Sequence, residues 1–476
     1  MRILVSNGRI IDPGNNIDAV GDVFIEEGRI APRSDQNGPF DRTIDASGLI
    51  VCPGLVDLQV RLREPGQEHK ATMRSELGAA VSAGVTSVCC PPDTDPVIDT
   101  PAMVHMVRQR ARQIELARLH PQGALTRGLK GEQLTDMAAL DEAGCVGVSN
   151  ADYAVENTLV MRRAMQYAST FDLTVFLNIL DPWLKGNGCV HEGEISTRLG
   201  LPVIPEAAET VALARELALI ETTGVRGHIC QLSSGRSVEK ISEAQQRGLP
   251  VSAAVSAHHL HLSERDIGDF DTRCHVLPPL RSLADRDALR HGVADGVIQA
   301  ICSDHQPHGT DAKLAPFSES AAGIAGVETL LSLVLQLVDD NVLPLQKAIA
   351  AITSEPARIL GTDLGQLSEG APADICIFDP DTTWTLNAEL LHSNGTTHPL
   401  MAGHCRAKFG GRWSRVKYST RVCPRTEYGI RTWPALIGPG NCVWSSTKKQ
   451  LTLGQNSTVC SVEPISWRSF AAVPSS

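Results

Sequence analysis

Between residues 51 and 360 the chain keeps switching between two kinds of stretch: a short apolar run rich in Val, Ile and Cys, then a longer segment of helical character. LIVCPGLVDLQVRL is followed by MRSELGAAVSAG, and that by the strand-like VTSVCCPP. LDEAGCVGVS precedes VENTLVMRRAMQYAS, and LTVFLNIL follows. PEAAETVALARELALIETTG reads as a long amphipathic helix stopping at Gly224, with RGHICQLSS behind it, then SVEKISEAQQRG, LPVSAAVS and ADGVIQAICSDHQPH. About eight such units predict an α/β fold, a (β/α)8 TIM-type barrel over residues 51–360. In such a barrel the functional side chains gather at the C-terminal ends of the strands, where the unusual residues of this chain cluster.

The flanks read differently. ILVSNGRIID and DVFIEEGRI surround Asn-Gly and Glu-Gly turns, a hairpin signal within residues 1–50. LGQLSEGAPADICIFDP repeats that character within 361–400, so both ends are expected to build one small β-sandwich. Residues 401–476 form a divergent tail with eleven Lys or Arg against Glu427 and Glu463, expected to be poorly ordered. With a net charge of −11 overall, the remainder is strongly acidic, which argues against nucleic acid as a partner. The opening MRILVSNGRIIDPG has no signal-peptide core and no run suggests a membrane span, so a cytoplasmic protein with reduced, mostly buried thiols is expected. Cys89-Cys90 fits packing at a strand end, and neither a phosphate-binding GxxxxGK segment nor a Ser-His-Asp spacing is visible.

In PGLVDLQVRLREPG an apolar run leads into Gln59, Arg61 and Arg63, which share one face of a strand. Two histidines at 59 and 61 would grip a divalent cation. An amide is a poor zinc ligand and a guanidinium, always protonated, is none.

Four stretches together resemble the dihydroorotase branch of the amidohydrolase superfamily: NGRIIDPG…GDVFIEEGRI, PGLVDLQVRLREPGQEHK, AAVSAGVTSVCCPPDTDPVIDT and SDHQPHGTDAK…GIAGVET. The resemblance runs from residue 1 to about 395. It implies a metal-containing barrel that closes carbamoyl aspartate into dihydroorotate by means of a metal-activated water. The family's histidine ligands fall on Gln59, Arg61, Asn178 (placed after the fourth strand) and Gln231, the last in HICQ, where His228 is kept. The family's bridging carboxylate falls on the run SNADY, where Asn150 and Ala151 are not acidic and Asp152 stands one residue late, a slip expected to re-aim it. Arg63 matches the arginine that clamps the substrate carboxylate, and His308 a substrate contact. Asp304 matches the catalytic base, here expected to make only a structural hydrogen bond. Asp93 and Leu277 replace two asparagines that would touch substrate. His258-His259-Leu260-His261 occurs in the family as scaffold, and strand alternation is expected to separate the first two; His305 is expected to be satisfied by backbone groups.

No zinc or other cofactor is therefore expected. The chain is similar to a subgroup without the metal histidines, whose members are non-catalytic subunits of aspartate carbamoyltransferase. That likeness implies a hetero-oligomer with the carbamoyltransferase catalytic chain in pyrimidine biosynthesis. Two alternatives stay open here. One is an active cyclic amidohydrolase with an atypical metal site, drawing on Asp304, His308, Asp152 or His258. The other is a sensor that binds dihydroorotate or carbamoyl aspartate through Arg63.

Overall fold

A computed structural model describes residues 1–32, 39–382 and 384–400, together with the backbone of two further strands, Arg415–Thr420 and Thr432–Pro434. All of these belong to one unit, Met1–Ala435. Most of the tail expected to be poorly ordered lies outside the described residues.

Eight parallel strands form the barrel. They are Leu55–Asp57, Val85–Cys90, Arg118–Pro121 (continued by Gly123–Ala124), Val148–Ser149, Val175–Asn178, Gly227–Cys230, Val251–Ser256 and Ala300–Cys302. The circle closes where the first strand's extension meets the eighth: Val60 bridges His305, Arg61 N–H donates to the His305 carbonyl at 2.9 Å, and His305 N–H to the Gln59 carbonyl at 3.0 Å. That pairing holds residues 59–61 extended and turns both side chains into the barrel mouth. The third strand is absent from the sequence reading. Its RLHPQGA carries Pro121 and Gly123 inside the run, which hides a strand whose partners are supplied by the closed barrel. Asn178 therefore ends the fifth strand, not the fourth.

Helices cover the outside. Thr72 caps Met73–Ser82 by accepting from Ser75 N–H at 3.2 Å, and that helix presents Leu77, Ala80 and Val81 to the core. Its Glu76 is fully buried, accepting from His305 Nε2 (2.6 Å), Ser393 Oγ (2.5 Å) and Asn394 N–H (3.1 Å). These bonds fasten residues 393–394 to the first helix and to the eighth strand. His305 thus leans on a carboxylate rather than on backbone alone, although its Nδ1 does take the Val327 N–H at 3.3 Å.

Where a small β-sandwich was expected from both chain ends, the two flanks join in one eight-stranded sheet. Its order is Thr432–Pro434, Arg415–Thr420, Ile375–Asp379, Ile50–Pro53, Arg2–Asp12, Ile17–Glu26, Arg29–Ile30, with Arg42–Asp45 also pairing Arg2–Asp12. The sheet continues past residue 400, where the sequence placed its boundary. Ile3, Val5, Ile10, Val23, Ile25, Val51, Ile375 and Ile377 share its core. Gly54 links this sheet to the first barrel strand; a Cβ there would lie 2.1 Å from Thr86 Oγ1, so only glycine lets the strands approach. Arg118 clamps barrel to sheet through Asp374 at 2.8 Å. Cys89 and Cys90 end the second strand, both buried. Among the described residues no helix is long and apolar enough to cross a membrane.

Candidate functional site at the barrel mouth

The C-terminal strand ends bring together most of the residues singled out in the sequence. At the centre lies the Arg61 side chain, 4% exposed. Its Nε donates to Asp93 Oδ2 at 2.7 Å and its Nη2 to Asp152 Oδ2 at 2.6 Å, while Nη1 faces Asp304 Oδ1 at 3.7 Å without a hydrogen bond. Asn178 Nδ2 donates to the other Asp152 oxygen at 2.5 Å. Burial works against the charged form of Arg61, yet the Asp152, Asp93 and Asp304 carboxylates outweigh it and raise the guanidinium's pKa. Burial pushes the Asp304 carboxyl up to about 7; Arg61 and a 3.0 Å bond from Gln306 only partly offset it.

Asp152 departs from expectation. The slip of one residue does not turn it away, because Ala151 adopts φ 49° and swings the next side chain into the mouth. It arrives as the partner of a guanidinium. Asn150 instead braces the loop, accepting from Thr126 Oγ1 at 2.7 Å and donating to the carbonyls of Leu129 and Tyr153.

Arg63 and His308 also meet, at 3.2 Å. Arg63 Nε donates to the Pro307 carbonyl at 3.2 Å and Nη1 faces Gln67. Burial, then the neighbouring Arg61, lowers the Arg63 pKa to about 10. His308 is held neutral, its pKa lowered to about 3 by burial and by Arg63. Gln59 and Gln231 are both buried, and the Gln231 amide nitrogen has no hydrogen-bond partner among the described residues. His228 turns aside to Ser252 Oγ at 2.9 Å. A cavity of about 150 Å3 remains between Asp152, Asn178, Lys185, Gln231 and Leu277.

The histidine run is corrected in one respect. His258 and His259 lie in a single turn after the seventh strand, Ala257–Leu260, with ring centroids 4.6 Å apart, because the strand ends at Ser256. His259 Nε2 contacts the Pro278 carbonyl at 3.1 Å and His261 Nε2 the Leu333 carbonyl at 2.8 Å, which is the behaviour of scaffold.

A divalent metal ion does not fit these residues. Gln59 and Gln231 offer amides, Asn178 is committed to Asp152, and a permanent cation takes the remaining position. Among the described residues, no three His, Cys, Asp or Glu side chains are arranged to hold a metal ion.

Fold and site define the class, an amidohydrolase-type barrel whose strand ends carry amides and a guanidinium. Residues 48–237 match the dihydro-orotase-like family and residues 198–403 the amidohydrolase family. A dihydroorotase-like protein of Pseudomonas aeruginosa is 46% identical over 85% of this chain and 96% of its own length. A dihydroorotase of Anaeromyxobacter sp. is 41% identical over 86% of this chain and 97% of its own. The fold is shared with an L-hydantoinase (dihydropyrimidinase) from Arthrobacter aurescens, at TM-score 0.77 and 21% identity over 89% of this chain and 95% of that one. The chain belongs to the dihydroorotase-like family of amidohydrolases.

Proposed function

We propose that this chain is a catalytically silent dihydroorotase homologue that serves as a structural subunit, assembling with the catalytic chain of aspartate carbamoyltransferase. One observation carries the first half. The Arg61 guanidinium, paired with Asp93 and Asp152, fills a position where the family has a metal-binding histidine. The family's ring chemistry uses a water brought near neutral pKa by a metal, and a protonated guanidinium has no lone pair with which to hold that metal. The likeness to the subgroup lacking the metal histidines supports the partner. A sensor anchored on Arg63 is less well supported, since Pro307, Gln67 and His308 already engage that guanidinium.

Co-expression with the carbamoyltransferase catalytic chain from the same source tests the assignment. The two are expected to elute together at a mass above either alone; separate elution contradicts the subunit role. Restoring histidine at 59, 61, 178 and 231 together is expected to give no dihydroorotate turnover, because Asp93 and Leu277 still stand where the family has asparagines. Measurable ring opening by that quadruple variant contradicts the expectation.

A further inference from the structure

The three nitrogens of Arg61 face three different carboxylates: Nε meets Asp93, Nη2 meets Asp152, and Nη1 points toward Asp304. These carboxylates come from the ends of three separate strands, the second, fourth and eighth. Their spread matches the planar fork of a guanidinium. The same side chains do not form a group that could hold a metal ion. One of the three loops meets Arg61 at its centre. Between Ala151 and Asn157, the start of the next helix, the loop is held by Ala151 N–H to Ser149 Oγ, Tyr153 N–H to the Asn150 carbonyl, Asn150 Nδ2 to the Tyr153 carbonyl and Trp183 Nε1 to Glu156. Asp152, in the middle, is tied by Arg61 and Asn178 alone, and with Ala154 it lines the cavity.

We infer that Arg61 is an internal ligand seated in a guanidinium-shaped receptor, which organises the barrel mouth and pins the strap 151–157 along the cavity wall. The arginine is then a working part of the scaffold rather than only the mark of a lost histidine. Removing it leaves Asp93 and Asp152 without their bonded counter-charge, with only the more distant Arg63 as a cation, and Asp152 keeps Asn178 alone as a bonded partner among the described residues. A free cation of the same shape should refill the gap, whereas a small spherical dication finds the carboxylates spread too widely.

The test uses hydrogen exchange followed by mass spectrometry on the full chain, independent of any carbamoyltransferase. In Arg61→Ala, amides of residues 150–157 are expected to exchange roughly tenfold faster or more, with the helix Ala207–Thr223 unchanged. Millimolar methylguanidinium is expected to restore the slow exchange, and Mn2+ is not. Unchanged strap exchange, failure of methylguanidinium to restore it, or restoration by Mn2+ alone overturns the inference. Should Arg61→Ala fail to fold, Asp152→Asn keeps the guanidinium and two of its carboxylates. Faster exchange confined to the strap then supports the pin, and an unaltered strap refutes it.

Discussion

Lowering the pH from 7 to 5 is expected to unfold the barrel in one steep step. Six buried histidines are held neutral, chiefly because burial penalises the charged ring. The pKa values of His228, His308 and His398 are lowered to about 3, and those of His259, His261 and His275 to about 4. Unfolded histidine titrates near 6.5, so below that pH the unfolded chain takes up protons that the folded one refuses. The stability these rings contribute is complete above pH 6.5 and is lost as pH falls toward 4, each costing about 1.4 kcal/mol per pH unit.

Several carboxyls pull the other way, Glu216 and Glu264 among them, both raised by burial. Burial raises Asp57 to about 6 and Asp304 to about 7, so both favour the folded state more as pH falls from neutrality toward 4. The histidines, to which His258 adds another ring lowered by burial, outweigh these carboxyls, leaving a net loss of roughly a few kcal/mol per pH unit, where a whole domain has only about 5–15 kcal/mol. Tryptophan fluorescence and circular dichroism followed against pH should show a cooperative transition between pH 6 and 4.5. A chain still folded at pH 4 would show that these rings are hydrated.

Replacing Glu209 by alanine is expected to destabilise the fold by about 3–5 kcal/mol, the cost of stranding a buried charge. Arg281 and Glu209 are each about 1% exposed and pair at 3.1 Å. Arg281 Nε also donates to Ser233 Oγ at 2.7 Å, and its Nη1 lies 3.2 Å from His191. Glu209 Oε1 accepts the Ser233 and Ser234 N–H groups at 3.2 and 3.1 Å. One carboxylate thus joins the helix Ala207–Thr223, the loop after the sixth strand and the segment after the seventh. With alanine at 209, a guanidinium stays behind where water cannot reach it. Urea unfolding should show the loss as a lower midpoint. The double variant Glu209→Leu, Arg281→Met should recover most of it, because no charge is left buried. A double variant as weak as Glu209→Ala would place the loss in packing instead.

The barrel was legible because its strands are apolar runs of a length that only a covered sheet can bury, and Gln59, Arg61, Asn178 and Gln231 because they stand at recognisable strand ends. What the arginine does there was not legible. Its partners Asp93, Asp152 and Asp304 lie up to 243 residues away in sequence, and nothing local says that Ala151 takes a left-handed turn to aim Asp152 inward. Alternation misjudged His258 and His259 because the strand ends two residues too soon for it to apply. The Glu76–His305 contact spans 229 residues, so the backbone reading of His305 could not anticipate it.

Zinc loading followed by exhaustive dialysis, with metal content and dihydroorotate ring opening measured on the same sample, tests the proposed silence of this barrel most directly. With Arg61 seated among its carboxylates, the chain should emerge with zinc far below one equivalent and turnover indistinguishable from buffer. One zinc per chain, together with ring opening that disappears on chelation and returns on reloading, would contradict it.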